Sequence, residues 1–196
     1  MLGIAGYALL VAIVATLLYF TRLQMVAELA LDTDTRAQAF ARIDFYTQLG
    51  TLLLQAFITG HLMHRLGVGV ALALLPVVVA LGFVGLAVAG TLAALIALEA
   101  TFKAVQRGIM RPARETLFTV LPRDERYKAK AFIDTFVYRG GDAVGAQTEG
   151  LLGRLGMGLA GLAAFAVPLA VIWGALGIWL GIQQHKRKGE HHDHST

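Results

Sequence analysis

Glu99, Lys103, Gln106 and Arg107 follow one another at steps of three and four. That spacing sets them on one face of a helix, in a stretch that is otherwise apolar from Leu92 to Leu98. A charge near the middle of a bilayer costs ~2.5–3.5 kcal/mol on insertion scales. Residues of that kind line an aqueous path or pair with each other, and Glu99 and Lys103 are spaced to pair. A second set lies at Asp134, Tyr138, Arg139 and Asp142, with Glu149 further on. Asp134 and Tyr138 are i,i+4; Arg139 and Asp142 are i,i+3 and are spaced to pair. An arginine beside Gly140 and Gly141 offers a planar fork suited to phosphate or carboxylate. The chemistry on offer is therefore anion binding. The expected contacts are Lys103, Arg107, Arg114 and Arg139, with Glu99, Glu115, Asp134 and Asp142 positioning them.

Other chemistry is poorly supplied. The chain has no cysteine, and its one serine, Ser195, lies in a polar terminal segment. A serine or cysteine nucleophile inside an apolar core is excluded. Lys103 to Pro112 comes near the first motif of membrane lipid phosphatases, but the spacing is one residue too long and the later serine and histidine motifs are absent. His185, His191, His192, Asp193 and His194 read as a solvated tail able to hold a metal ion only weakly. No enzyme activity, cofactor or resident metal is expected, and nucleic acid is not an expected partner.

The elements that must position these residues are membrane helices. Of 196 residues, 57% are hydrophobic and 15% charged, against roughly a quarter charged in a soluble domain. A span needs ~20 mostly apolar residues. Six such stretches are expected, at about 2–20, 45–63, 68–89, 91–110, 131–152 and 157–182, with a polar tail at 185–196. The first lacks the basic segment of a signal peptide. Asp34 or Thr35 is placed to cap the second helix, and Pro76 lies inside the third, where neighbouring helices are expected to satisfy the freed carbonyl. Residues 111–130 are expected to form a basic loop. Glycines cluster in the last two spans, where small residues let helices approach closely; static packing is the plainer expectation there and a sliding helix pair the alternative.

Lys and Arg divide unevenly. The side with the loops after spans two and four and the tail has Arg65, Lys103 and Arg107 near the end of span four, Arg111, Arg114, Arg123, Arg126, Lys128, Lys130, Lys186, Arg187 and Lys188, twelve in all, against Arg22, Arg36, Arg42 and Arg154 on the other side. That bias places both ends in the cytoplasm and the chain in the inner (cytoplasmic) membrane.

Two strings carry a family resemblance. Gly60-His-Leu-Met-His64-Arg65-Leu-Gly67 resembles the loop signature of the major facilitator superfamily, with Gly60, Arg65 and Gly67 matching and His64 standing where that family has an acid. The longer string holds Arg114-Glu115, Phe118, Pro122, Lys128-x-Lys130, Asp134 and Arg139-Gly140-Gly141 in order. It resembles the ATP/ADP translocase family of nucleotide exchangers, over about Arg36 to Gln147, and in particular its free-living bacterial branch. The resemblance implies an all-α, major-facilitator-like fold and exchange of nucleotides or another anionic phosphorylated metabolite. Because that family has about twelve spans, this chain looks like the C-terminal six-helix half, beginning within what would be the seventh span. A second six-helix half or a homodimer is the expected partner. The rival expectation is a non-transporting membrane scaffold or degenerate half-transporter acting with a partner; the reading frame upstream of Met1 would discriminate the two.

Overall fold

The computed structural model describes residues 2–28, 33–118 and 123–193. Among these the chain is helical almost throughout, without a strand. Its helices are α1 (Leu2–Glu28), α2 (Thr33–Leu53), α3 (Thr59–Ala89), α4 (Leu92–Val105), α5 (Arg111–Phe118), α6 (Arg123–Phe132), α7 (Tyr138–Arg154) and α8 (Leu159–Asp193). Single π-helical turns at Leu54–Ile58, Gln106–Met110 and Ile133–Val137 join α2 to α3, α4 to α5 and α6 to α7.

These pieces make six continuous rods, because α3 breaks at Gly67 (φ 78, ψ 168). Only glycine enters that region freely, so the second rod ends and the third begins at the last glycine of the Gly60–Gly67 string. The third and fourth rods meet at Gly90 (φ 59), after which the Thr91 side chain caps α4 by accepting from the Ala94 amide. The fifth and sixth meet at Gly156 (φ 66).

Six helical rods agree with the six expected. Three are long and apolar enough to cross a membrane: Leu2–Val26, Gly67–Ala89 and Leu159–His185. The second, fourth and fifth rods are more polar and do not reach that standard. Several boundaries move outward from expectation. The second helix begins at Thr33, so Asp34 and Thr35 lie in its first turn rather than capping it. The expected loop at 111–130 is helical at Arg111–Phe118 and again from Arg123; Pro122 falls outside the described residues. The backbone remains helical to Asp193, while the tail side chains from Lys186 onward, among them His191, His192 and Asp193, and all of His194, lie outside what is described.

The rods pack in pairs: first on fifth, second on fourth, third on sixth, with first–sixth and third–fourth contacts closing the bundle. Glycine sets two of these pairs. A Cβ on Gly145 would come within 2.8 Å of Thr16 and 2.9 Å of the Ile13 carbonyl, and one on Gly141 would overlap Ala12. Gly69 and Gly181 bring the third and sixth rods into backbone contact. In lipid, where no hydrophobic force acts between helices, close approach of this kind is what would hold them. The core lies among the first, third, fourth and sixth rods around Tyr7, Phe83, Phe118 and Trp173, all essentially inaccessible. Tyr7 donates to the Leu72 carbonyl at 2.7 Å and meets Trp173 edge-on, centroids 5.5 Å apart. Outside, the third and sixth rods expose Leu81, Val88, Val171 and Ile172.

Candidate functional site

The fourth rod carries most of the candidate residues. Glu99 and Arg114 stand fifteen residues apart on it, ~22 Å at 1.5 Å per residue, and each is the centre of a separate charged cluster.

At the first cluster Glu99 is buried, its side chain 4% exposed. Its Oε1 accepts from Lys103 Nζ at 2.7 Å, one turn along, and from Arg22 Nη1 at 2.8 Å across from α1. Lys103 also lies 3.9 Å from Asp44 of α2. The Arg22 guanidinium sits 5.1 Å from the Tyr19 ring centroid and 5.0 Å from that of Phe40, within reach of both ring faces. Two cations and two carboxylates thus tie three rods together at one end of the bundle. The expected Glu99–Lys103 pair is present. Arg22 was assigned to a loop because the apolar run stops at Phe20; the helix continues to Glu28 and carries the arginine into the bundle. A tyrosine three residues before an arginine on a helix was the available signal.

At the second cluster Arg114 is buried. Its Nη1 donates to the Tyr138 hydroxyl at 2.6 Å, and its Nη2 lies 3.8 Å from Glu115 and 3.9 Å from Asp134. Lys130 Nζ meets Glu115 at 2.9 Å. Again two cations and two carboxylates balance, here joining the fourth and fifth rods. The i,i+4 pair Asp134 and Tyr138 converges on one guanidinium, although the helix between them is a π turn.

Arg107 lies between the clusters in the π turn Gln106–Met110. Arg139 is exposed on α7. Among the described residues neither makes an ion pair. The expected Arg139–Asp142 pair is not formed: Asp142 Oδ1 instead accepts from Thr16 Oγ1 at 3.0 Å. Two turns further, Glu149 accepts from Gln24. The acids of α7 therefore bind α1, which sequence reasoning missed because Thr16 and Gln24 look inert in an apolar run.

All three π turns fall on the second, fourth and fifth rods. The same rods carry the exposed polar side chains Arg42, Gln48 and Gln55, Arg111 and Glu115, and Asp134, Arg139 and Gln147. The first two π turns touch each other, and the third lies against α1. Among the described residues no group of three or more His, Asp or Glu could hold a metal ion. No protein-family model matches the chain, nor does any curated protein.

Proposed function

We propose that this chain is a six-helix half of a membrane transporter for an anionic solute, a nucleotide or another phosphorylated metabolite, with both ends in the cytoplasm. The observation that carries the reading is the coincidence of π turns and exposed polar side chains on the second, fourth and fifth rods. π turns concentrate at functional sites, and polar residues at bilayer depth face an interior or an aqueous cavity. Apolar first, third and sixth rods would face lipid, with Leu81, Val88 and Val171 on that side. The polar rods would face a second six-helix unit across the path.

Arg107 and Arg139 lie well inside the fourth and fifth rods and make no ion pair among the described residues, so they meet the anion first. Lys103 and Arg114 join only by giving up Glu99 and by loosening from Tyr138. The balanced clusters act as ties at the two ends of the fourth rod, and the anion, by competing for their cations, alters the packing of the rods they join. The resemblance to nucleotide exchangers supports the choice of a phosphorylated solute.

The test is uptake and binding of labelled ATP and ADP by the full chain in liposomes. Arg107→Gln and Arg139→Gln should each weaken both about tenfold, the loss of one charge-assisted hydrogen bond of ~1.5 kcal/mol. A chain that neither binds nor moves nucleotide above protein-free liposomes, or that does so unchanged in both variants, overturns the reading.

A further inference from the structure

A groove of about 830 Å³ runs open between the second and fourth rods. Its floor is built of small apolar residues, Gly50, Ala97, Ala100 and Ala104, with Leu53 and Leu54 along one wall. The two rods run parallel, since Gly50 lies against Ala104 and Gly108 against Leu54. Apart from Thr101, its polar character lies at one end. Arg42 and Tyr46 stand there, and a second hollow of about 280 Å³, lined by Gln38, Phe45 and the same Arg42 and Tyr46, adjoins it. Arg42 is exposed and makes no ion pair among the described residues.

We infer that this groove holds one acyl chain of an anionic phospholipid whose phosphate sits on Arg42. From Arg42 to Leu54 is twelve residues, ~18 Å along a helix. Half of a ~30 Å hydrocarbon core is about 15 Å, so the groove is as deep as one leaflet. Its polar end is also where a headgroup would lie. Thr91, which caps α4, marks the end of the fourth rod, and Ala93 and Ile96 flank Arg42 within the first turns below it. An arginine there reaches a phosphate with its guanidinium and leaves its methylenes against the tail. Tyr46 adds a ring suited to the interface. A helix from another chain would fill the apolar length but would leave Arg42 without an anion, and so fits the charge less well. The seat lies on the leaflet opposite the cytoplasmic end; it turns Arg42 to lipid rather than to the solute path and uses none of Arg107, Arg114 or Arg139. The inference rests on the membrane reading but not on transport.

The test uses the full chain reconstituted in mixed phosphatidylglycerol and phosphatidylcholine vesicles, re-extracted in mild detergent and weighed intact by native mass spectrometry. The wild-type chain should retain one phosphatidylglycerol in preference to phosphatidylcholine. Arg42→Gln should abolish that preference while some lipid of either kind remains. Ala97→Trp, at an exposed position of the floor, should expel both. Equal retention in wild type and Ala97→Trp, or no headgroup preference in wild type, overturns the proposal. So does a wild-type dimer that Ala97→Trp dissociates, which would assign the groove to a second copy. Alkaline carbonate extraction of the same membranes separates the premises: release of the chain refutes the membrane reading itself, whereas a chain that stays in the pellet and retains no lipid refutes the groove alone.

Discussion

Thr16 Oγ1 donates to Asp142 Oδ1 at 3.0 Å, and this contact leaves Arg139, one turn before Asp142, without a counterion among the described residues. Substituting Arg139 should therefore change anion binding and leave stability nearly unaltered. Thr16→Val should do the opposite, lowering stability by about 1 kcal/mol, the net value of one hydrogen bond, with nucleotide affinity intact. Thermal unfolding in detergent, read beside nucleotide binding, checks both. A destabilised Arg139→Gln chain would mean that the guanidinium has a packing role.

Glu99 is predicted to matter more for stability than either of its cations. Removing one partner of a buried pair costs ~3–5 kcal/mol because a charge is stranded. Glu99→Gln strands two, Arg22 and Lys103, with only Asp44 nearby at 3.9 Å from Lys103. Lys103→Gln leaves Glu99 its contact with Arg22 and should cost about 1 kcal/mol, in line with a partly exposed group. The order of unfolding temperatures should be wild type, then Lys103→Gln, then Glu99→Gln. The reverse order for the two variants would show that the cluster is solvated.

Two glycines of the fifth rod separate packing from flexibility. Gly145→Ala places a Cβ within 2.9 Å of the Ile13 carbonyl and 2.8 Å of Thr16. Backbone cannot give way there, so the first and fifth rods part, at a cost of about 1–3 kcal/mol. Gly150→Ala meets nothing within 4 Å. It should stabilise α7 by up to ~1 kcal/mol through helix propensity. Unfolding of the two single variants tests this pair. If both are neutral, the rods slide freely and the close approach is not what fixes them.

Apolar runs made the first, third and sixth rods legible, since hydropathy alone separates them from the rest. The stripe at Glu99, Lys103 and Arg107 was legible because helical spacing is a local property. What could not be read was anything that depends on which rod lies beside which. Thr16 with Asp142, Arg22 with Glu99 and Gln24 with Glu149 are each separated by 77 residues or more, and no local pattern encodes them. The π turns were equally hidden. Each inserts one residue's worth of rotation into a helix whose composition is unremarked, and the shift appears only in the hydrogen bonds, as in the Tyr138 amide bonding to the Ile133 carbonyl. The basic stretch from Arg111 was assigned to a loop on charge. Charge and helicity are compatible when the polar face is wet, and both α5 and α6 are strongly amphipathic.

Arg114 and Tyr138 allow the two roles of an arginine to be told apart. The Arg114 side chain is 9% exposed, donates from Nη1 to the Tyr138 hydroxyl at 2.6 Å, and holds Glu115 and Asp134 only at 3.8 and 3.9 Å. Its Nε has no acceptor among the described residues. If Arg114 is first a tie between the fourth and fifth rods, Tyr138→Phe leaves a buried donor unmet and costs ~1–3 kcal/mol, and Arg114→Lys costs a similar amount because one ammonium cannot reach the hydroxyl and both carboxylates with a fork's geometry. Nucleotide affinity should then fall little in Tyr138→Phe, or rise, since the freed Nη1 becomes available to an anion. If Arg114 is first a substrate contact, Arg114→Lys should lose affinity with stability unchanged. Measuring unfolding temperature and nucleotide binding on both variants decides between these. We expect lower stability in both, and affinity in Tyr138→Phe at or above that of the wild type, because a cation released from its tyrosine has nowhere in this neutral cluster to go except toward an incoming phosphate.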